Sequence, residues 1–415
     1  MKRYIALLLI GCMMMAGCGS KATTAETGSA AGQKPTEIVM WLIGSEGQAL
    51  TIKDISEDFY KKTNIKVKCD AMSWGDAHSK YLTSIAGGVA PDIGTMGLTW
   101  GTEFGSLQAM VDLQEAYPDD VNAIRESVFT GLWDSIGYKG KIYGVPFDMT
   151  LYVMYYRSDM ILNPPDTWAA LAALLEGLNK SGKGMIFDWG SLGWVGYSPF
   201  LWQAAGDYYN SDYTESKVNS SEAVAGMNFF ANLYKKYNVP KTKIPLEQGM
   251  RTGDFPIAIS GNWKIEGLRL SAPEIAGKWS IAALPAGPSG KRTAFIGGRI
   301  IGIFSQSKNK QAAWEFIKYL TSPESQKRLY EAALTKYDTY LPPSKKAWNL
   351  LEMDPKFKDV LIAQADDAKG PPPVANWDTN AKYVDEAIQK IVLQGADTQK
   401  ELDTAKAHLD RALRE

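Results

Sequence analysis

The chain has 415 residues, with 45 Lys and Arg against 46 Asp and Glu and a formal net charge of −1, so it offers no concentrated basic face for a nucleic-acid partner. Only three cysteines and two histidines occur. A zinc site of the usual His/Cys type is therefore not expected, nor is a Ser-His-Asp triad, for which no Gly-x-Ser-x-Gly elbow exists.

The chain opens on Lys2 and Arg3, an apolar stretch over residues 4–10 and the run Met13-Met14-Met15-Ala16-Gly17-Cys18. A basic start, a short apolar core and a small pair form a secretory signal too short to span a membrane. A cysteine straight after the small pair resembles a lipobox, which implies cleavage after residue 17 and lipidation of Cys18. Several acyl chains hold stably where one is marginal. Residues 18–36, rich in Thr, Ser, Ala and Gly, read as a flexible spacer behind that anchor. About 380 residues follow, more than one hydrophobic core normally supports, and predict two domains. Cys12 leaves with the signal and Cys18 is lipidated, so Cys69 is left without a disulfide partner.

Residues 37–43 read as a buried strand ending at Gly44-Ser45-Glu46-Gly47, before a helical pattern of Leu50, Ile52, Ile55 and Phe59. A strand over 65–69, a helix near 77–85, the break Gly87-Gly88 and a short strand at Pro91-Asp92-Ile93 follow. This alternation indicates βαβ units and a mainly parallel sheet, with ligands expected beyond the carboxyl ends of strands, at the turns holding Ser45 and Thr99. Residues 143–147 lead into a β-prone stretch over 151–156, and Pro165-Asp166-Thr167-Trp168 opens a helix. Residues 185–212, rich in Gly and aromatics, are expected as loops around a cleft. Residues 294–304 read as a strand crossing between domains, 308–320 as a helix, and Thr398-x-x-Glu401 as the capping box of a last helix presenting Leu402, Ala405, Leu409 and Leu413. Thirteen Trp and 20 Tyr, many beside Gly, Pro, Asp or Asn, suit the rims of clefts. No Walker loop and no Gly-x-Gly-x-x-Gly occurs; no cofactor and no metal are expected.

The order of segments resembles the carbohydrate-binding extracellular solute-binding proteins of bacterial ABC importers, the maltose-binding-protein-like group. The likeness runs over roughly residues 37–413. Its carriers are Ile38-Val39-Met40-Trp41 with the Gly-Ser-Glu-Gly turn, Phe59-Tyr60-Lys61-Lys62-Thr63-Asn64-Ile65, Gly87-Gly88-Val89-Ala90-Pro91-Asp92-Ile93, Tyr143-Gly144-Val145-Pro146-Phe147, Gly261-Asn262-Trp263 and Ala313-Trp314-Glu315-Phe316. The resemblance implies an α/β, two-lobed periplasmic-binding-protein-like fold, each lobe a mainly parallel sheet flanked by helices. Hinge segments join the lobes, which close on a sugar. The expected division is signal peptide 1–17, lipidated cysteine and linker 18–36, an N-terminal lobe of 37–148 plus 296–340, and a C-terminal lobe of 149–295 plus 341–415. Implied partners are an oligosaccharide, the permease subunits of an ABC transporter and, through Cys18, the extracytoplasmic face of the membrane, most simply a Gram-positive surface. A monomer that is not an enzyme is expected.

A sugar needs planar rings for its C–H faces and side chains that pair its hydroxyls, because a buried unpaired hydroxyl costs on the order of 1 to 3 kcal/mol. Trp263 matches the position where the family places a stacking aromatic; Trp377, Trp194 and Tyr197 are further platforms, as are Trp74 and Trp100 at predicted strand ends. Polar contacts are expected from Ser45, Glu46, Thr99 and Asp148, with Gly298 and Arg299 on the crossing strand. Thr99 stands where some relatives carry Asp. Arg299 interrupts an apolar strand and has two readings: an ion pair with Asp148 across neighbouring hinge strands, or a contact to an acidic sugar or glycerophosphodiester. A third reading, an anchored glycoside hydrolase, would draw two carboxylates from Asp148, Asp188 and Asp207.

Overall fold

In Thr36–Ile43 (β1), Ile38, Met40, Leu42 and Ile43 are fully buried: the alternation of a strand becomes continuous burial where helices cover both faces. The computed structural model describes residues 36–335 and 339–414; the signal 1–17, Cys18 and the spacer as far as residue 35 lie outside the described residues. Ile65–Met72 (β2) runs parallel to β1 along its whole length. The connecting helix, Glu46–Thr63, is capped by Ser45, whose Oγ accepts from the Gln48 amide, and it packs Ile52, Ile55 and Phe59 onto the sheet. Ile93–Gly97 (β3) is parallel on the other side of β1, after the helix Trp74–Ala86.

A hairpin of Gly137–Tyr138 (β4) and Lys141–Ile142 (β5) precedes Val145–Arg157 (β6), one strand of 13 residues where the sequence suggests two pieces. Then come Met185–Phe187 (β7), Ile257–Gly261 (β8), Trp279–Ala282 (β9), Ala294–Ile303 (β10) and Ala368–Lys369 (β11). The sheet order is β2-β1-β3-β10-β6-β8-β7, with β9 added to β6 and β11 to β10. Parallel pairing is kept on the flanks, β2-β1-β3 at one end and β7-β8 at the other. The centre is antiparallel: β10 pairs β3 through Arg299 to Ile303 and β6 through Ile296 to Ile301, and the far half of β6 pairs β8. Two long strands therefore carry the chain between two halves. Leu341 adds a third connection, its carbonyl accepting from the Met149 amide at 3.0 Å.

Two local expectations change. Residues 185–212 are not simply loops, because they include β7 and the helix Trp194–Gln203, in which Tyr197, Phe200, Leu201 and Trp202 are buried. Aromatic packing onto the helix Ser221–Lys235, as between Phe200 and Phe230 at 5.4 Å, outweighs the poor helix propensity of Gly196 and Pro199. The last helix, Thr398–Ala412, is capped one residue earlier than expected, by Asp397, whose carboxylate accepts from the Lys400 amide at 2.8 Å. Among the described residues, no helix is long and apolar enough to cross a membrane.

Cys69 sits on β2 at the edge of the sheet, and burial above all, with Asp70 and Glu46 adding repulsion, pushes its thiol up to about 12. A thiol held protonated is a poor nucleophile. At pH 8, alkylation of Cys69 by iodoacetamide is expected to run at least about tenfold slower than alkylation of the unfolded chain. Equal rates before and after adding denaturant would contradict this.

Candidate ligand-binding site

Beyond the carboxyl ends of the parallel strands, in both halves of the sheet, the following turns line one cavity of about 670 Å³. The turn after β1 brings Ser45 and Gln48, the one after β2 brings Trp74, and the one after β3 brings Thr99 and Trp100. The other half supplies Trp189 after β7, and Asn262 and Trp263 after β8. Asp148, Gly298 and Arg299 on the crossing strands also line it, as do Trp194, Phe295 and Asp378. Nine residues expected at the site, Ser45, Trp74, Thr99, Trp100, Asp148, Trp194, Trp263, Gly298 and Arg299, thus meet at one cavity.

The rings stand edge to face, the arrangement that aromatic quadrupoles favour. Trp189 and Trp263 are 4.7 Å apart at 78°, and Phe295 is 5.6 Å from both Trp189 and Trp194. Across the cavity Trp74, 52% exposed, stands 5.7 Å from Trp100 at 73°. The Trp263 ring lies over Gly261, where any Cβ would strike it, so Gly261-Asn262-Trp263 makes its own seat. Asn262 locks that turn to β6, its Oδ1 accepting from the Leu151 amide at 2.8 Å and its amide donating to the Leu151 carbonyl at 2.9 Å.

At the bottom lies the Arg299–Asp148 pair, both residues about 5% exposed or less. The Arg299 amide donates to Asp148 Oδ1 at 2.7 Å, while its guanidinium donates to Asp148 Oδ2, to the Ile43 carbonyl and to Gln48 Oε1. The Phe147 ring covers the guanidinium at 5.0 Å. These partners take four of the five guanidinium N–H groups, which favours the ion-pair reading of Arg299. Gly298, beside it, has φ 140° and leaves no room for a Cβ against the Asp148 carbonyl, so glycine is required there by backbone geometry.

Three expected contacts lie elsewhere. Glu46 is the first residue of its helix and points outward, lining a separate surface groove with Lys53, Cys69 and Asp70; Gln48, half a turn on, takes the cavity position. Tyr197 is fully buried between Tyr208 and Phe230, its hydroxyl donating to the Ala223 carbonyl at 2.7 Å. Trp377 is fully buried against Trp194, Tyr208 and Tyr209. Its neighbour Asp378 reaches the cavity instead and accepts, on Oδ2, from Thr99 Oγ1 at 2.8 Å and Trp100 Nε1 at 3.0 Å. Trp189, Phe295 and Asp378 were missed from sequence. Trp189 lies within the stretch 185–212, whose glycine and aromatic content points to the surroundings of a cleft without singling it out.

Of the carboxylates a hydrolase would need, Asp148 is held by Arg299, Asp188 by Lys264 and Ser260, and Asp207 by Lys369; only Asp148 lines the cavity. Among the described residues, no group of three or more His, Cys, Asp or Glu side chains is placed to hold a metal ion.

A cleft at strand ends, between sheet halves joined by crossing strands, defines a two-lobed binding protein. The chain belongs to the bacterial extracellular solute-binding proteins, whose family model matches residues 54–392. A binding protein of Brucella abortus is 25% identical over 373 residues, covering 84% of this chain and 86% of its own. The maltooligosaccharide ABC transporter solute-binding lipoprotein of Streptococcus pneumoniae is 25% identical over 354 residues, 79% of this chain and 78% of its own. In fold, the sugar-binding protein MalE of Xanthomonas citri is similar with a TM-score of 0.81 at 22% identity, covering 91% of this chain and 98% of its own.

Exchanging Arg299 for Met leaves a buried carboxylate without its cation, and is expected to destabilise the fold by about 3 to 5 kcal/mol. Adding Asp148→Asn to that variant is expected to recover part of the loss. Urea midpoints of the two variants check this, and an unchanged midpoint for the single variant would contradict it.

Proposed function

We propose that the protein captures an oligosaccharide between its lobes outside the cytoplasm and delivers it to the permease of an ABC transporter. The carrying observation is the cavity wall: five indoles and Phe295, with Ser45, Gln48, Thr99, Asn262 and Asp378 interspersed. Flat apolar faces alternating with hydroxyl-pairing groups match the two chemical surfaces of a sugar. Rings on both sides suit a ligand of two or more units. The maltooligosaccharide named for the streptococcal relative, and the maltotriose named for a relative from Pyrococcus abyssi, support the same class.

In this reading the N-terminal lobe comprises 37–148 plus 296–340 and the C-terminal lobe 149–295 plus 341–415. β6 and β10 act as hinge strands. Closure reports loading to the permease only if the sugar binds the closed form far better than the open one, and a cavity walled from both halves supplies that difference. The tether at Cys18 keeps the receptor beside its permease, where its effective concentration is high. A Gram-positive surface is the simplest setting, and the streptococcal relative is itself named a lipoprotein. The acidic-ligand reading loses its main support because Arg299 is engaged by Asp148, Ile43 and Gln48. Binding without turnover suits a site whose carboxylates are tied to cations or indole donors.

A thermal-shift screen against neutral oligosaccharides tests this. A ligand at 100 times its Kd adds about 2.7 kcal/mol of stability. Trp263→Ala is expected to abolish the shift while leaving the ligand-free melting temperature within a few degrees. No stabilisation by any saccharide would overturn the proposal, as would cleavage of the stabilising one at catalytic rates.

A further inference from the structure

Behind the two indoles that meet at a right angle lies a charge cluster that the cavity itself does not use. We propose that Lys264 is a positioning residue: its ammonium clamps the Asp188-Trp189 and Trp263-Lys264 dipeptides together and so sets the Trp189–Trp263 corner against which a saccharide packs. The inference rests on the saccharide reading of the cavity.

Each dipeptide supplies one ring and one charge. On the ring side, Trp189 and Trp263 are 4.7 Å apart at 78°. On the charge side, Lys264 Nζ lies 3.2 Å from Asp188 Oδ2 and 3.0 Å from Glu247 Oε1, and Ser260 Oγ donates to the same Asp188 oxygen at 3.2 Å. The Asp188 side chain is 4% exposed, and those of Lys264 and Glu247 are each 17% exposed. Asp188 Oδ1 is buried with no hydrogen-bond partner among the described residues. A buried carboxylate with one bare oxygen depends on the charge beside its other oxygen, and without Lys264 two carboxylates would face each other unneutralised.

The clamp transmits position because the backbone around each ring is otherwise anchored. Asp188 donates its amide to the Ile259 carbonyl of β8, and the Trp189 carbonyl accepts from the Tyr152 hydroxyl. Residues 261–263 are pinned to β6 through Asn262. To these backbone ties the Asp188–Lys264–Glu247 triad adds the charged side-chain bridge between the two dipeptides, next to the rings themselves. A binding ring must be held by packing and supporting bonds within about 0.5 Å to act as a platform.

The test uses the full-length protein and two readouts. The first is the exciton couplet of the indole pair in the ligand-free circular dichroism spectrum, assigned by its loss in Trp189→Phe. The second is the affinity for the saccharide that stabilises the parent. Lys264→Met is expected to remove most of the couplet and weaken binding roughly 10- to 100-fold, the scale on which lost support behind a binding group is felt. Lys264→Arg is expected to restore both. Should Lys264→Met fail to fold, Asp188→Asn, which keeps a hydrogen-bonding side chain and removes the charge, takes its place with the same expected direction. The clamp is overturned if the couplet survives in the variant that folds, or if it vanishes while affinity stays within about twofold. Absence of any saccharide binding by the parent would instead fail the reading of the cavity; the ligand-free couplet still decides the clamp.

Discussion

An arginine in the middle of an apolar sheet keeps its charge, so fixed oxygens must surround and compensate it, and this requirement organises the centre of the molecule. Arg299 on β10 draws to itself Asp148 of β6, the last carbonyl of β1 and Gln48 of the first helix. One side chain thereby joins both crossing strands to the turn that opens the cleft. Because removing either charge strands the other, the pair constrains register as well as stability, and the shift in β10–β6 pairing falls at Arg299 and Ile300. Gly298 lets the strand pass beside the Asp148 carbonyl at that point. The cavity floor is thus made of groups already satisfied by one another, and selectivity for a ligand falls to the walls.

Those walls follow a different rule. Trp74, Trp100, Trp189 and Trp263 sit just beyond the carboxyl ends of strands, where the strand's direction aims them at the common cleft, Trp194 opens the helix that follows β7, and each leans edge-on against another ring. Edge-to-face contact fixes ring planes without hydrogen bonds, leaving faces and indole N–H groups for other partners. Trp100 shows the second use: its N–H, with the Thr99 hydroxyl, meets Asp378 from far along the chain.

Legibility in sequence tracked the range of the interaction involved. Strand–turn–helix units such as 36–63 are specified locally, by alternating or continuous apolar runs and by a serine cap. Residues 185–212 misled because glycine and aromatic content signals a turn only when the rings face solvent; here Phe200 and Tyr197 found partners on the helix Ser221–Lys235. Trp377, expected at the cavity, yields that place to its neighbour Asp378 for a related reason. Neighbours on a one-turn helix point different ways, and only the surroundings of Tyr208, Tyr209 and Trp194 decide which goes inward.

What the sequence determined by itself was the class of object: a two-lobed α/β chain with aromatic turns at strand ends. These depend on composition and on periodicities a few residues long. Tertiary structure alone decided that Arg299 is satisfied by Asp148, that Glu46 faces away while Gln48 faces in, and that Trp189, Phe295 and Asp378 complete the cavity. Each of those outcomes depends on which distant groups share a small volume of low dielectric, where pairing and exclusion of water set the energies, and no local pattern carries that information.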